Sequence, residues 1–143
     1  MKDKLNYMYE FAEDNNILVN DYKFSNSKKS MCMDFSDTFY IGIDYDKLES
    51  KTEELCVLAE EIAHYCVGIT PTNPASNSYF NKLVRSRNEY RATRKAVQTL
   101  LDLNSLKDAI DSGKAHNTYE LAEMFNVTNE FMNNALKVYG FVK

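Results

Sequence analysis

Proline and glycine are scarce: the chain has two and four of them in 143 residues. That excludes collagen-like, proline-rich and glycine-rich low-complexity classes. No run of about 18 apolar residues occurs, so no transmembrane helix is expected. The opening Met1-Lys2-Asp3-Lys4-Leu5-Asn6-Tyr7 lacks the apolar stretch of a signal peptide. Cysteine is confined to Cys32, Cys56 and Cys66. An odd count without a leader predicts reduced thiols in a cytoplasmic protein rather than a disulfide framework. There is no excess of positive charge either. Lys and Arg number 17 against 21 Asp and Glu, a net charge of −4. This argues against a general nucleic-acid binder and leaves room only for a local basic patch. What is present is globular: 44% hydrophobic, 13% aromatic and 27% charged residues fit neither a disordered chain nor a coiled coil. The length suits one domain, with at most a small helical appendage.

The periodicity predicts an α+β fold. Leu5, Met8, Tyr9 and Ala12 fall at helical spacing, and Asn15-Asn16 stops that helix. Three β-rich segments follow: Ile17-Leu18-Val19, Met31 to Phe35, and Thr38 to Ile43. Lys28-Lys29-Ser30 forms a turn before the second, and Ser36-Asp37 between the last two has hairpin length. A small, mostly antiparallel three-stranded sheet is therefore expected. Helical spacing returns with Leu55, Leu58, Ala59, Ile62 and Ala63. Ser50 or Thr52 can cap that helix, Glu53-Glu54 suits its positive end, and Gly68 ends it. Thr70 to Asn77 has loop composition. A long helix is expected from about Ser78 to Leu103. Thr118 to Phe125 and Thr128 to Tyr139 read as two shorter helices, capped by Thr118 and Thr128 and joined through Asn126-Val127. No internal repeat and no long linker is visible.

The segment Leu58-Ala59-Glu60-Glu61-Ile62-Ala63-His64 carries the chemistry. It has the frame of H-E-x-x-H with glutamate at the first position. Positions i and i+4 lie about 40° apart around a helix and about 6 Å apart along it, so Glu60 and His64 can converge on one ion. Glu61 then points to the adjacent edge, where a general base can reach a water beside that ion. A catalytic zinc needs a third protein ligand, and Glu89 is a candidate. It is the one acidic residue between Glu61 and Asp102, set among Arg85, Arg87, Arg91, Arg94 and Lys95. It can equally be paired with those arginines. The plain alternative for Glu60-Glu61 is a solvated helix edge, and for His64 a core or boundary histidine.

Three segments in order resemble the ImmA/IrrE family of metallo-endopeptidases, found on phages and integrated mobile elements of Gram-positive bacteria. Leu58 to Tyr65 is similar to the family's LAEELGHH segment. Arg85-Ser86-Arg87-Asn88-Glu89-Tyr90-Arg91-Ala92 is similar to the RxRxxExxRA segment that carries the third ligand. Tyr119 to Thr128 resembles its YELAEYFNVT tail. The resemblance implies a zincin-like minimal metallopeptidase, with the sheet packed on the active-site helices and a helical tail. It implies a metallopeptidase-like domain over 1–105 and a helix-turn-helix-like subdomain over 106–143 packed on it. One divalent metal, Zn²⁺ with Mn²⁺ as the alternative, would be held by Glu60, His64 and Glu89, with Glu61 as catalytic base. The substrate would be a small helix-turn-helix repressor of the same element. The family's usual first ligand is His, and this chain has Glu60 there. Two carboxylates and one imidazole cancel the ion's charge, which weakens polarisation of water and favours a harder ion. That departure also keeps open a non-catalytic regulator that binds the repressor without cutting it. A DNA-binding module is a further alternative: the second tail helix offers Asn129, Asn133, Asn134 and Lys137, but Glu130 with Glu120 and Glu123 opposes phosphate.

Other residues have plain readings. Cys56 lies two helical turns from His64 and Cys66 faces away from it, so both read as packed thiols. His116 reads as a surface loop residue. Tyr65 and Tyr90 flank proposed ligands, and core filling suits them better than an oxyanion role. The basic run from Lys82 to Lys95 reads as a solvated face or as a complement to an acidic patch on a protein partner.

Overall fold

A computed structural model describes residues 3–68 and 79–142. The loop expected over 70–77, and the start of the long helix at Ser78, lie outside the described residues. The described residues form an α+β fold: α1 (Lys4–Asp14), β1 (Ile17–Asp21), β2 (Ser30–Phe35), β3 (Thr38–Ile43), a single 3-10 turn (Tyr45–Lys47), α2 (Lys51–Val67), α3 (Tyr79–Leu100), α4 (Leu103–Asp111), α5 (Thr118–Phe125) and α6 (Asn129–Val138). Among them no helix is long and apolar enough to cross a membrane.

The hairpin forms where expected. Ser36 and Asp37 both take positive φ, 54° and 64°, the geometry that closes a two-residue turn between right-twisted strands. The pairing of the sheet, however, is mixed rather than mostly antiparallel. Its order is β1-β3-β2, with β1 parallel to β3 and β2 antiparallel to it. The reason lies in residues 22–29, which are too long for a tight hairpin and cross the end of β3 instead. Tyr22 N–H donates to the Ile43 carbonyl (3.0 Å) and Asp44 N–H to the Lys29 carbonyl (2.8 Å), so β2 lands on the far side of β3. Gly42 makes the crossing possible: a Cβ there would sit 3.3 Å from Cβ of Tyr22. The crossing loop is gathered round one ammonium. Lys47 Nζ donates to the carbonyls of Phe24 (2.9 Å), Asn26 and Lys28 (2.9 Å), and buried Asp44 accepts from Phe24 N–H (3.1 Å).

The core is one cluster shared by sheet and helices. Ile17, Phe39, Ile41 and Ile43 turn inward from the sheet, Leu55, Leu58 and Ile62 from α2, and Val97 and Leu100 from α3. Alanines at 59, 63, 92 and 96 are buried and let α2 and α3 approach closely. The sheet's inward face changes character at β2. Strand alternation sends Met31 and Met33 outward and Ser30 and Cys32 inward, opposite Ile43 and Ile41.

The helix ends follow local chemistry, with two departures from expectation. Ser50 caps α2 by accepting from Glu53 N–H, and Gly68 (φ 76°) ends it. The long helix stops at Leu100 and not Leu103, and the sequence pattern does not reveal the separate α4. Asp102 is its N-cap, its carboxylate accepting from Ser105 N–H, which outcompetes helix continuation. The freed carbonyls at the end of α3 are taken by Lys4 Nζ on Leu100 (2.9 Å) and by the Tyr139 hydroxyl on Leu101 (2.7 Å). The cap of α5 is Asn117 rather than Thr118. Thr128 caps α6 as expected, after Asn126 turns the chain in the left-handed region (φ 56°). Phe131, Met132, Ala135 and Leu136 bury one face of α6 in the common core.

Candidate functional site

The apolar stripe of α2 fixes what its flank can do. With Leu58, Ala59, Ile62 and Ala63 facing the core, Glu60, Glu61 and His64 are carried to the boundary between core and solvent. Neither glutamate is a solvated edge: Glu61 is 7% exposed and Glu60 is half-buried. His64 has a side chain only 13% exposed, and its Nε2 stands 3.5 Å from Oε1 of Glu89 on α3. Glu89 itself is 73% exposed at the side chain, so it reaches His64 from the solvent side.

These residues open onto a polar cavity of about 740 Å³. Glu60, Glu61 and His64 come from α2, Arg85 and Glu89 from α3, Ser30 and Cys32 from β2, and Glu130 and Asn134 from α6. His64 also borders a second cavity of about 410 Å³, shared with Asn15, Asn16, Asp34 and Asp37. Burial pushes the Glu60 carboxyl up to about 7, helped by the charges of Glu130, Glu61 and Glu89. Burial likewise raises Glu61, against hydrogen bonds from the Ser30 hydroxyl and Cys32 thiol and the nearby His64. The Cys32 thiol is pushed up to about 12 by burial and then by the Glu61 carboxylate.

Four of the lining residues are invisible to helix-spacing arguments. Ser30 and Cys32 reach the cavity across the sheet, and Glu130 and Asn134 from 70 and 74 residues further along the chain than Glu60. The alternation of β2 shows that Ser30 and Cys32 share a face; nothing local says what that face meets. Among the flanking residues, Cys56 is buried as expected, whereas Cys66 is exposed and not packed. Tyr65 fills space edge-on between Phe11 and Phe39, but Tyr90 is 55% exposed and leaves the core to others. His116 is exposed, its backbone N–H donating to the Glu120 carboxylate (2.6 Å). Of the basic run, Arg91 reaches the Val67 carbonyl (2.8 Å) and closes the end of α2.

The chemistry of the donor set fits a divalent cation. One imidazole and four carboxylates line a single cavity whose cationic residues are Lys28 and Arg85, and burial raises the pKa of both Glu60 and Glu61. The positions fit in part. His64 and Glu89 stand together, while among the described residues no three His, Cys, Asp or Glu side chains form a group that holds an ion as they stand.

Glu60, Glu61 and His64 stand on one helix beside a small sheet, with Glu89 on the next helix, and the family comparison places the chain in the class of metallopeptidase-like α+β proteins. More narrowly, it belongs to the family described as the IrrE N-terminal-like domain, a peptidase family whose model matches residues 12–137. That family is metal-dependent, generally with zinc. No curated protein and no solved structure matches the chain.

Proposed function

We propose that this protein is a metal-dependent endopeptidase that cuts a small helix-turn-helix repressor encoded by the same phage or mobile element. The observation that carries the reading is the meeting of His64 and Glu89 at 3.5 Å on the cavity that Glu60 and Glu61 also line. Glu60, His64 and Glu89 would hold the cation, Zn²⁺ or Mn²⁺. A bound cation supplies Lewis-acid polarisation to the peptide carbonyl and to the attacking water. Glu61 would take the proton from that water and return it to the leaving amine. Its burial favours the first step, because a carboxyl held above its ordinary pKa is the stronger base.

The test is incubation of purified protein with the repressor from the neighbouring reading frame, with Zn²⁺ or Mn²⁺ supplied after chelation. Cleavage that disappears in Glu61→Gln supports the reading; intact repressor under every metal sinks it. Metal content of Glu60→Ala and Glu60→His reports separately on the first ligand.

One observation favours a second reading. With Glu60 in place of the family's usual histidine, no third donor is drawn up to the His64–Glu89 pair among the described residues. A regulator that binds the repressor without cutting it needs no such group. Complex formation without cleavage, unchanged by metal or by Glu61→Gln, would establish it.

A further inference from the structure

Glu61 is the acid of α2 that meets the sheet. Ser30 and Cys32 alternate onto the inward face of β2, with Met31 between them turned out and 41% exposed. Both line the same cavity as Glu61, and both donate to its carboxylate, one through a hydroxyl and one through a thiol. A glutamate has three side-chain torsions, and a buried one without fixed partners would swing among rotamers. Two donors spaced i and i+2 on a rigid strand fix the carboxylate plane from one side and leave the other side toward the cavity. The donors are also neutral. A hydroxyl and a thiol orient the carboxylate through hydrogen bonds alone.

We propose that Ser30 and Cys32 are positioning residues for Glu61, donating to its carboxylate so that it faces the cavity in one orientation. The inference rests on the reading of Glu61 as the base, and its test has one arm that needs no turnover.

In that arm, the S–H stretching band of Cys32 is read by infrared spectroscopy, identified as the band lost in Cys32→Ser. It moves to higher frequency in Glu61→Gln, because an amide oxygen accepts more weakly than a carboxylate. A band that stays in place overturns the proposal. In the kinetic arm, Ser30→Ala and Cys32→Ala each lower kcat about tenfold, the scale of one hydrogen bond to a charged group, with KM unchanged. Ser30→Thr and Cys32→Ser, which keep the donor, restore kcat. Equal losses in the alanine and donor-keeping variants overturn the positioning role, as does a loss confined to KM. A wild type that cuts nothing counts against the peptidase reading itself, and the infrared band then decides alone whether the two donors hold Glu61.

Discussion

Glu54 and Glu61 lie seven positions apart on one helix, and each is 7% exposed. Their surroundings differ in kind. The Tyr9 hydroxyl donates to Glu54 at 2.6 Å and is itself paired with Tyr45 at 2.8 Å, and Lys51 approaches at 3.3 Å. That carboxylate ties α1 and the 3-10 turn to the start of α2. At the other end of the helix, Glu61 takes hydrogen bonds from the Ser30 hydroxyl and the Cys32 thiol, and its neighbour Glu60 feels the charges of Glu130 and Glu89. Burial alone therefore does not mark a reactive carboxylate. What separates the two is which groups answer the charge: a tyrosine pair and a lysine at Glu54, a hydroxyl and a thiol at Glu61.

The sharpest way to test this contrast is to neutralise both acids without changing their shape. Glu61→Gln is expected to lower the cleavage rate by about 10²–10⁴-fold with little change in melting temperature. Glu54→Gln should leave the rate per folded molecule intact. Stability should show the opposite ranking. Glu54→Ala strands the Tyr9–Tyr45 pair and is expected to cost about 2 kcal/mol in urea unfolding, whereas Glu61→Ala relieves a burial penalty and costs less.

A third measurement uses pH. The folded protein holds Glu60's proton to about 7, against an ordinary value of 4.5. The folded state thus binds that proton more tightly than the unfolded state does. The stability it contributes is present below about pH 4.5 and is lost as pH climbs to about 7, a fall of up to about 3 kcal/mol. Glu60→Gln should flatten that slope in metal-free protein, and a divalent cation should offset it, because the ion competes with the proton for the same oxygens. A wild type and Glu60→Gln with parallel pH profiles would place Glu60 on the same footing as Glu54. The smallest effect is expected at a position close to Glu54. Thr52→Ala removes an exposed hydrogen bond to Asn126 (3.0 Å) and should change stability by about 0.5 kcal/mol or less, without touching the rate.

What was legible in the sequence is what local spacing controls. Glu60 and His64 share a helix, so their separation is set by helical geometry, and the Ser36-Asp37 turn is set by two residues. The separate α4 was hidden because Leu100, Leu101 and Leu103 continue an apolar pattern across the break that Asp102 makes. The parallel pairing of β1 and β3 was hidden because it depends on where residues 22–29 travel. Glu130 was hidden most deeply. Its place at the cavity comes from the packing of Phe131, Met132 and Leu136 in the common core, and no pattern near Glu60 encodes that.

Lys47 sets a different rule for the loop it gathers. Three main-chain oxygens converge on its ammonium much as they would on a captured alkali ion, but this cation is tethered by its own side chain. The segment leading to Lys28 and Ser30 is accordingly shaped by an internal counterion that dilution and dialysis cannot remove. The rim of the cavity that Glu60, His64 and Glu89 line therefore keeps its contour whatever the solution around it holds.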